Sequence, residues 1–409
     1  MTTLQPPADS SWRTPLMVIA AGCGIAMIGF GVRSTFGLFL EPMTEARAWS
    51  RETFSIALAI QNLLWGIGVP IAGMIADRFG PSRVIVLGAL LYAAGTWSMS
   101  VVESGPAFYM VGGVLVGLGV AFTAFSLALA AMARVVPRGK RSFILGLGTA
   151  AGSLGQFVFS PNAQAAIDFF GWQGALLALA TSALVIVPLA FILPRTTSGV
   201  DEAVSDQSMM EALREARGHS GYILLTMGFF VCGFQIAFIT VHFPAYVTDL
   251  GLSPSVAAWS IALVGGCNII GCLLSGMAGQ RWSKRCGLAV IYFARSIIIV
   301  ALLLAPKTDI TVYAFAAAMG FLWLATVPLT SAIVAQVFGT RYMATLFGIV
   351  FFSHQAGSFI GIWLGGWLYD TTGSYDIVWW ISAGLGVAAA LVHLPINEKP
   401  LARLQVQTQ

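Results

Sequence analysis

GMIADR at residues 73–78 and GMAGQR at residues 276–281 are one hexapeptide frame met twice, 203 residues apart. Each closes a long apolar run, and each ends on an arginine. Two further echoes precede them in the same order. Gly29-Phe30 returns as Gly233-Phe234 after 204 residues, and SIAL at 55–58 returns at 260–263 after 205. One short match arises by chance; three in sequence at nearly constant spacing mark a duplicated unit. The chain therefore reads as two parallel halves.

Outward from these frames the sequence is built of apolar runs. Of its 409 residues 57% are hydrophobic and only 9% are charged, with a mean hydropathy of +0.84. A water-facing surface needs about 25% charged residues, so most of this surface does not face water. Six runs fall in the first half, at 15–41, 53–76, 83–102, 106–133, 142–167 and 172–194. Six more follow at 220–247, 255–280, 287–306, 310–338, 343–369 and 377–396. Runs near 20 residues match the thickness of a bilayer core, where the backbone finds no outside hydrogen-bond partner and must be helical. Forty-five glycines suit such helices, because small residues let them pack closely. The fold expected is an all-α membrane protein of twelve helices in two pseudo-symmetric six-helix bundles, with domains at 1–194 and 220–409. The joining segment, 195–219, carries a Ser208/Glu211 capping box with Met209, Leu213 and Ala216 on one face. It reads either as a linker with a short amphipathic helix or as a disordered tether.

Charge placement gives the orientation. Sixteen basic residues fall on the side of the termini and linker, and three (Arg47, Arg51 and Lys307) on the other. Both termini and the linker are expected in the cytoplasm and the chain in the cytoplasmic (inner) membrane. The N-terminal stretch MTTLQPPADSSWRTP lacks the basic region and early apolar core of a cleaved signal, so the first span itself is expected to direct insertion. The five cysteines show no paired spacing, and neither disulfide, metal nor cofactor is expected. Nothing points to nucleic acid, and the partners expected are lipid, a solute and protons.

Well inside the spans lie Arg33, His242, Arg295 and His354, whereas Glu41, Asp77 and Asp168 sit at span ends. A buried arginine costs about 2.5–3.5 kcal/mol on insertion scales, so it faces protein or a wet cavity. With no carboxylate well inside the spans, the missing counterion is read as the solute. Arg33 shares a face with Gly22, Ala26, Gly29 and Gly37, which suits a cavity wall gripping a carboxylate. Its alternative is to bond helix-end carbonyls or a loop glutamate. For Arg295 the brace and the functional reading stay side by side. His242, with Gln235 on its face, and His354, beside Gln355, are read as solute or proton groups or as packing histidines. Gln61, Asn62 and Trp65 in the second span, Thr149, Ser153, Gln156, Ser160 and Gln164 in the fifth, and Trp323, Thr326 and Thr330 in the tenth form polar stripes. They read as a central site or as helix–helix hydrogen bonding.

At 73–83, GMIADRFGPSR resembles the major facilitator signature between the second and third helices, with Gly73, Asp77, Arg78, Gly80 and Arg83 in its places. The resemblance covers the whole chain and implies a secondary transporter working by alternating access. In it Gly73 allows close helix contact, and Asp77 meets the positive end of a neighbouring helix as a latch. Lys140-Arg141 followed by Gly146, Gly148, Gly152, Ser153 and Gly155 is similar, with a one-residue shift, to the monocarboxylate and oxalate/formate branch. Asp9-Ser-Ser-Trp12 loosely echoes that branch's opening motif, and Arg33 stands where it often keeps a substrate lysine. The sequence departs from the branch in the eighth helix, where Asn268 and Cys272 replace an Asp/Arg pair. It departs again in the eleventh, where His354 and Gln355 lie near an exchanger lysine. The solute implied is a small organic anion, of monocarboxylate type, moved by proton symport or anion exchange by a monomer. The alternative is an efflux pump of the same fold for amphipathic compounds, which the twelve tryptophans and fourteen methionines would suit. No phosphate loop, HExxH or nucleophile–base set supports an enzyme, and no output domain supports a receptor.

Overall fold

A computed structural model of the chain describes residues 14–136, 141–193, 208–339 and 342–402, apart from a few side chains within them that include Asp77 and Arg134. Among these residues every regular element is helical. The first crossing is α1 (Pro15–Ser34), a 3-10 turn at Phe36–Phe39, and α2 (Leu40–Arg47); then come α3 (Arg51–Phe79) and α4 (Pro81–Val101). The fourth is segmented into α5 (Gly105–Phe108), a π-helical stretch at Tyr109–Leu115, α6 (Val116–Phe122) and α7 (Phe125–Arg134). The fifth and sixth are α8 (Arg141–Leu184) and α9 (Ile186–Ile192). Behind the linker helix α10 (Met209–Gly218) follow α11 (Ser220–Asp249), α12 (Pro254–Arg281) and α13 (Lys284–Leu304). The tenth crossing is α14 (Asp309–Leu322) with α15 (Thr326–Phe338), and α16 (Met343–Thr372) and α17 (Asp376–His393) close the set.

Eleven helical stretches among the described residues are long and apolar enough to cross a membrane. One of them, Gly146–Ile192, is 47 residues long, which at 1.5 Å per residue is about twice a bilayer core. It contains Gly171 at φ 71 and ψ 168, where the helix reverses. Glycine alone adopts that backbone cheaply, so this stretch is two crossings and the total is twelve. Local signals start the helices: Thr14 caps α1 ahead of Pro15, and Ser50, Ser253, Ser283 and Thr308 cap α3, α12, α13 and α14. Gly80, at φ 87, makes the turn between α3 and α4.

The buried apolar residues sort into two clusters, one built almost wholly from 18–193 and the other from 216–396. These are the cores of the two bundles. The duplication shows in their detail, because the fourth span breaks at Thr123–Ala124 and the tenth between Leu322 and Thr326. In the linker both bonds of the capping box form: Ser208 Oγ accepts from Glu211 N at 3.3 Å, and Glu211 Oε2 accepts from Ser208 N at 2.8 Å. The buried face of α10 is Ala212 and Ala216 with Leu213 half-buried. Met209, expected on that face, is exposed, because it lies in the first turn before the helix reaches the bundle. Linker residues 195–207 lie outside the described residues.

Candidate functional site

Two ends of the molecule behave differently. At the end opposite the linker, the first turn of α3 is gripped by the other half. Arg51 forks onto Asp249 at the close of α11, both N···O distances being 2.7 Å. Asp370 in the last turn of α16 accepts the backbone N–H groups of Arg51 and Glu52 at 3.0 and 2.6 Å. Trp363 Nε1 donates to Glu52 at 3.0 Å, and Arg51 donates to the Tyr375 hydroxyl at 2.9 Å. Its guanidinium also lies 3.8 Å over the Tyr369 ring. In the sequence Arg51 reads as a loop charge, and its partners lie far from it in the chain. A signal was present: a cation in a helix's first turn and carboxylates in last turns all oppose their own helix dipoles, so each wants a partner elsewhere. Here they satisfy one another across the halves.

The seal runs inward. His242 is fully buried and neutral in its bonding: Nε2, 2.8 Å from the Ile362 carbonyl, must carry the hydrogen, leaving Nδ1 to accept from Tyr375 at 3.1 Å. Ser55 of the first half lies 3.4 Å from Nε2. His242 thus sits in the seal, away from Arg33. Deeper still, Trp65 meets Phe351 edge to face at 5.3 Å, and Gln355 lies against Gly66. Beyond this level, towards the linker, Ile67, Ile71 and Met74 on α3 and Ile349 and Phe352 on α16 are exposed. The close contact expected of Gly73 is not seen among the described residues, since a Cβ there would meet none of their atoms within 4 Å, and the same holds of its repeat partner Gly276. The physical reason is that α3 packs on α16, α6 and the π-helical stretch, and Gly73 lies off that packed face. Arg78 and Arg83 are exposed at the same end; the Asp77 side chain lies outside the described set.

Within the first half lies a small cavity of about 20 Å³ whose walls include Ala26, Gly29, Phe30, Arg33, Trp65 and the Thr123–Ala124 break. The expected small-residue face is partly here: Ala26 and Gly29 line the cavity, while Gly22 faces Met132 and Gly37 faces the backbone of Thr240 and Val241. Arg33 Nη2 donates to Asn62 Oδ1 at 2.5 Å, and its guanidinium lies 4.4 Å over Trp65. Asn62 is itself steadied by donating to Leu58 O at 2.8 Å. Arg33 Nε is buried without a partner, and among the described residues the one ion pair is Arg51–Asp249. Arg33 and Arg295 each keep a buried Nε without a partner among the described residues, but Arg33 alone of the two borders this cavity, whose lining holds no carboxylate.

Arg295 is different. It is fully buried, and Nη2 donates to the carbonyls of Leu322 and Trp323 at 2.7 and 2.5 Å, while Nη1 reaches Cys232 and Gln235, each at 3.4 Å. These carbonyls belong to the broken tenth span, so Arg295 braces the break. Gln235, which also donates to Ser382 O at 2.9 Å, and Trp323, 4% exposed, belong to that brace. Gln61 donates to Gly112 O at 3.3 Å in the π-helical stretch, and Gln156 to Ile261 O at 3.3 Å across the halves. Asn268 is engaged on both sides, as described below. His354 stacks on Phe351 at 6.0 Å with Nδ1 unpartnered, and both amide atoms of the buried Gln355 lack partners. Of the ten candidate binding residues the structure gathers Arg33 and Asn62 on one wall, with His354 and Gln355 beyond the Trp65–Phe351 contact. The other six lie in packing, brace or seal.

The comparisons with known proteins give the fold and the family. The chain is 26% identical over 409 residues to monocarboxylate transporter 13 of Bos taurus, covering 98% of this chain and 94% of that one. It is 25% identical to the uncharacterized MFS-type transporter YcxA of Bacillus subtilis, covering 91% and 92%. Its fold matches a crystal structure of a bacterial homolog to the human lysosomal transporter Spinster, in an inward-facing and unoccupied conformation. The TM-score is 0.70 at 14% identity, over 94% of this chain and 96% of that one. The sequence profile of the Major Facilitator Superfamily matches residues 19–362, and the chain belongs to that family of transporters.

Proposed function

We propose that this secondary transporter carries a small monocarboxylate, whose carboxylate replaces the counterion that Arg33 lacks. The observation that carries the reading is that Arg33, its Nε unpartnered among the described residues, lines a cavity whose walls hold no carboxylate. The names of the monocarboxylate transporters among the relatives support the same solute class. The halves 1–194 and 220–409 rock about this level, with 195–219 as their cytoplasmic tether and the Arg51 seal on the outer face of the cytoplasmic membrane. Asp77 acts as a latch at the inner end. Coupling is by proton symport or anion exchange; His354, whose Nδ1 is idle, is the proton group we favour, while the bonding of His242 suits the seal. The working unit is a monomer. Uptake of labelled monocarboxylates into proteoliposomes, with and without a pH gradient, tests the reading. Uptake that Arg33→Gln removes supports it, and uptake indifferent to Arg33→Gln overturns it.

A further inference from the structure

Asn268 touches three things at once. It is 1% exposed, near the middle of α12, a helix that lies between α8 of the first half and α14 of its own. Its Oδ1 accepts the backbone N–H of Leu324 at 2.9 Å and the Cys272 thiol at 3.2 Å. A backbone N–H can only donate, so the oxygen must face Leu324 and the amide nitrogen must face the other way. That nitrogen donates to Ser153 Oγ of the opposite half at 2.9 Å.

Leu324 lies inside the break between α14 and α15, where the helical ladder cannot serve it. The neighbouring groups of the break have other holders: Arg295 takes the Leu322 and Trp323 carbonyls, Ser275 takes the Ala325 carbonyl, and Cys232 meets the Thr326 hydroxyl. All of these belong to the second half. Among the described residues, Asn268 alone of the break's side-chain partners also holds the first half.

We infer that Asn268 is a positioning residue that passes the separation of the two halves to the bend of the tenth span. When α8 leaves α12, the Ser153 bond goes, the amide is free to turn, and the Leu324 N–H loses its fixed acceptor. A second bond at the same interface makes a built-in control. Gln156 also crosses from α8, to Ile261 O at 3.3 Å, but ends on a backbone carbonyl and leads nowhere near the break.

Amide hydrogen exchange on the full-length protein in nanodiscs reads this out without any cargo. In Ser153→Ala, exchange at Leu324 should rise about fivefold or more, although Ser153 does not itself bond the break. Asn268→Leu should raise it further, and the double variant should match Asn268→Leu alone because the path is already cut. Gln156→Leu should leave Leu324 within about twofold of wild type. Unchanged protection at Leu324 in Ser153→Ala would overturn the inference and leave Asn268 a local brace. Equal loosening in Gln156→Leu would overturn it too, as general softening of the interface. Should Asn268→Leu fail to fold, Ser153→Ala and Gln156→Leu still decide.

Discussion

Two arginines sit in the spans of this protein, and their surroundings differ. Arg295 is wrapped by carbonyls of a broken helix and by Cys232 and Gln235, all within its own half. Arg33 holds one asparagine and leans on one tryptophan. Both keep a buried Nε without a partner among the described residues; what separates them is that Arg295 spends both Nη groups on the broken helix and its neighbours, whereas Arg33 borders a cavity. That distinction rests on partners, which neither composition nor hydropathy reports.

The comparison breaks most sharply through substitution. Arg33→Gln should lower monocarboxylate uptake about 100-fold or more while leaving thermal unfolding close to wild type, because a desolvated charge pair with the cargo is lost. Arg33→Lys should keep part of the activity, since charge survives without the planar fork. Arg295→Leu should do the reverse and destabilise the fold by about 2–4 kcal/mol, because buried carbonyls lose their donor. Thermal unfolding in detergent and uptake, measured on the same preparations, check both; a stable but inactive Arg295→Leu would merge the two arginines into one role.

Smaller effects sharpen the picture around Arg33. Arg51→Gln should loosen the seal by about 1 kcal/mol, so a cysteine placed at Ala59, buried behind it, labels about fivefold faster. His242→Asn should act in the same way. His354→Asn should instead abolish acceleration by a proton gradient while exchange continues. If His354→Asn still accumulates cargo driven by pH alone, the proton travels elsewhere. Least of all should change in the linker. The backbone and side-chain hydrogen bonds with Ser208 hold the exposed Glu211 carboxyl below its ordinary range. A depressed carboxylate contributes above its unfolded pKa and loses that contribution as pH falls through the folded one. The capping of α10 should therefore weaken only in acid below about pH 4, seen as lost amide protection in its first turn.

Much of the scaffold was legible. The repeat gave two halves, the apolar runs gave the crossings, and the gap between 167 and 172 matched the reversal at Gly171. Capping chemistry gave the start of α10. The break at Thr123–Ala124 was not legible, because no proline or charge marks it; that at Leu322–Thr326 has Pro328 in the first turn of α15 as a signal, but the groups that satisfy it come from three other helices. The site was legible only in its cation. Gln61, Gln156 and Gln235 carry the same side chain as a cargo ligand would, yet each is consumed by a backbone carbonyl or neighbour that pattern cannot show. The seal failed for a related reason: hydropathy sees loops one at a time, and this one joins three helix ends across the duplication.

The brace around Arg295 can be restated in the vocabulary of binding. The tenth span has a broken helix whose freed carbonyls form a cation receptor, and that receptor is filled by a guanidinium tethered to the preceding helix. A tethered ligand binds with no loss of translational freedom and at an effective concentration no solute reaches. The carbonyls of the tenth span's break are thus occupied from within the chain, while the fourth span's matching break borders the Arg33 cavity. On the function proposed above, occupancy by cargo would vary in the first repeat only.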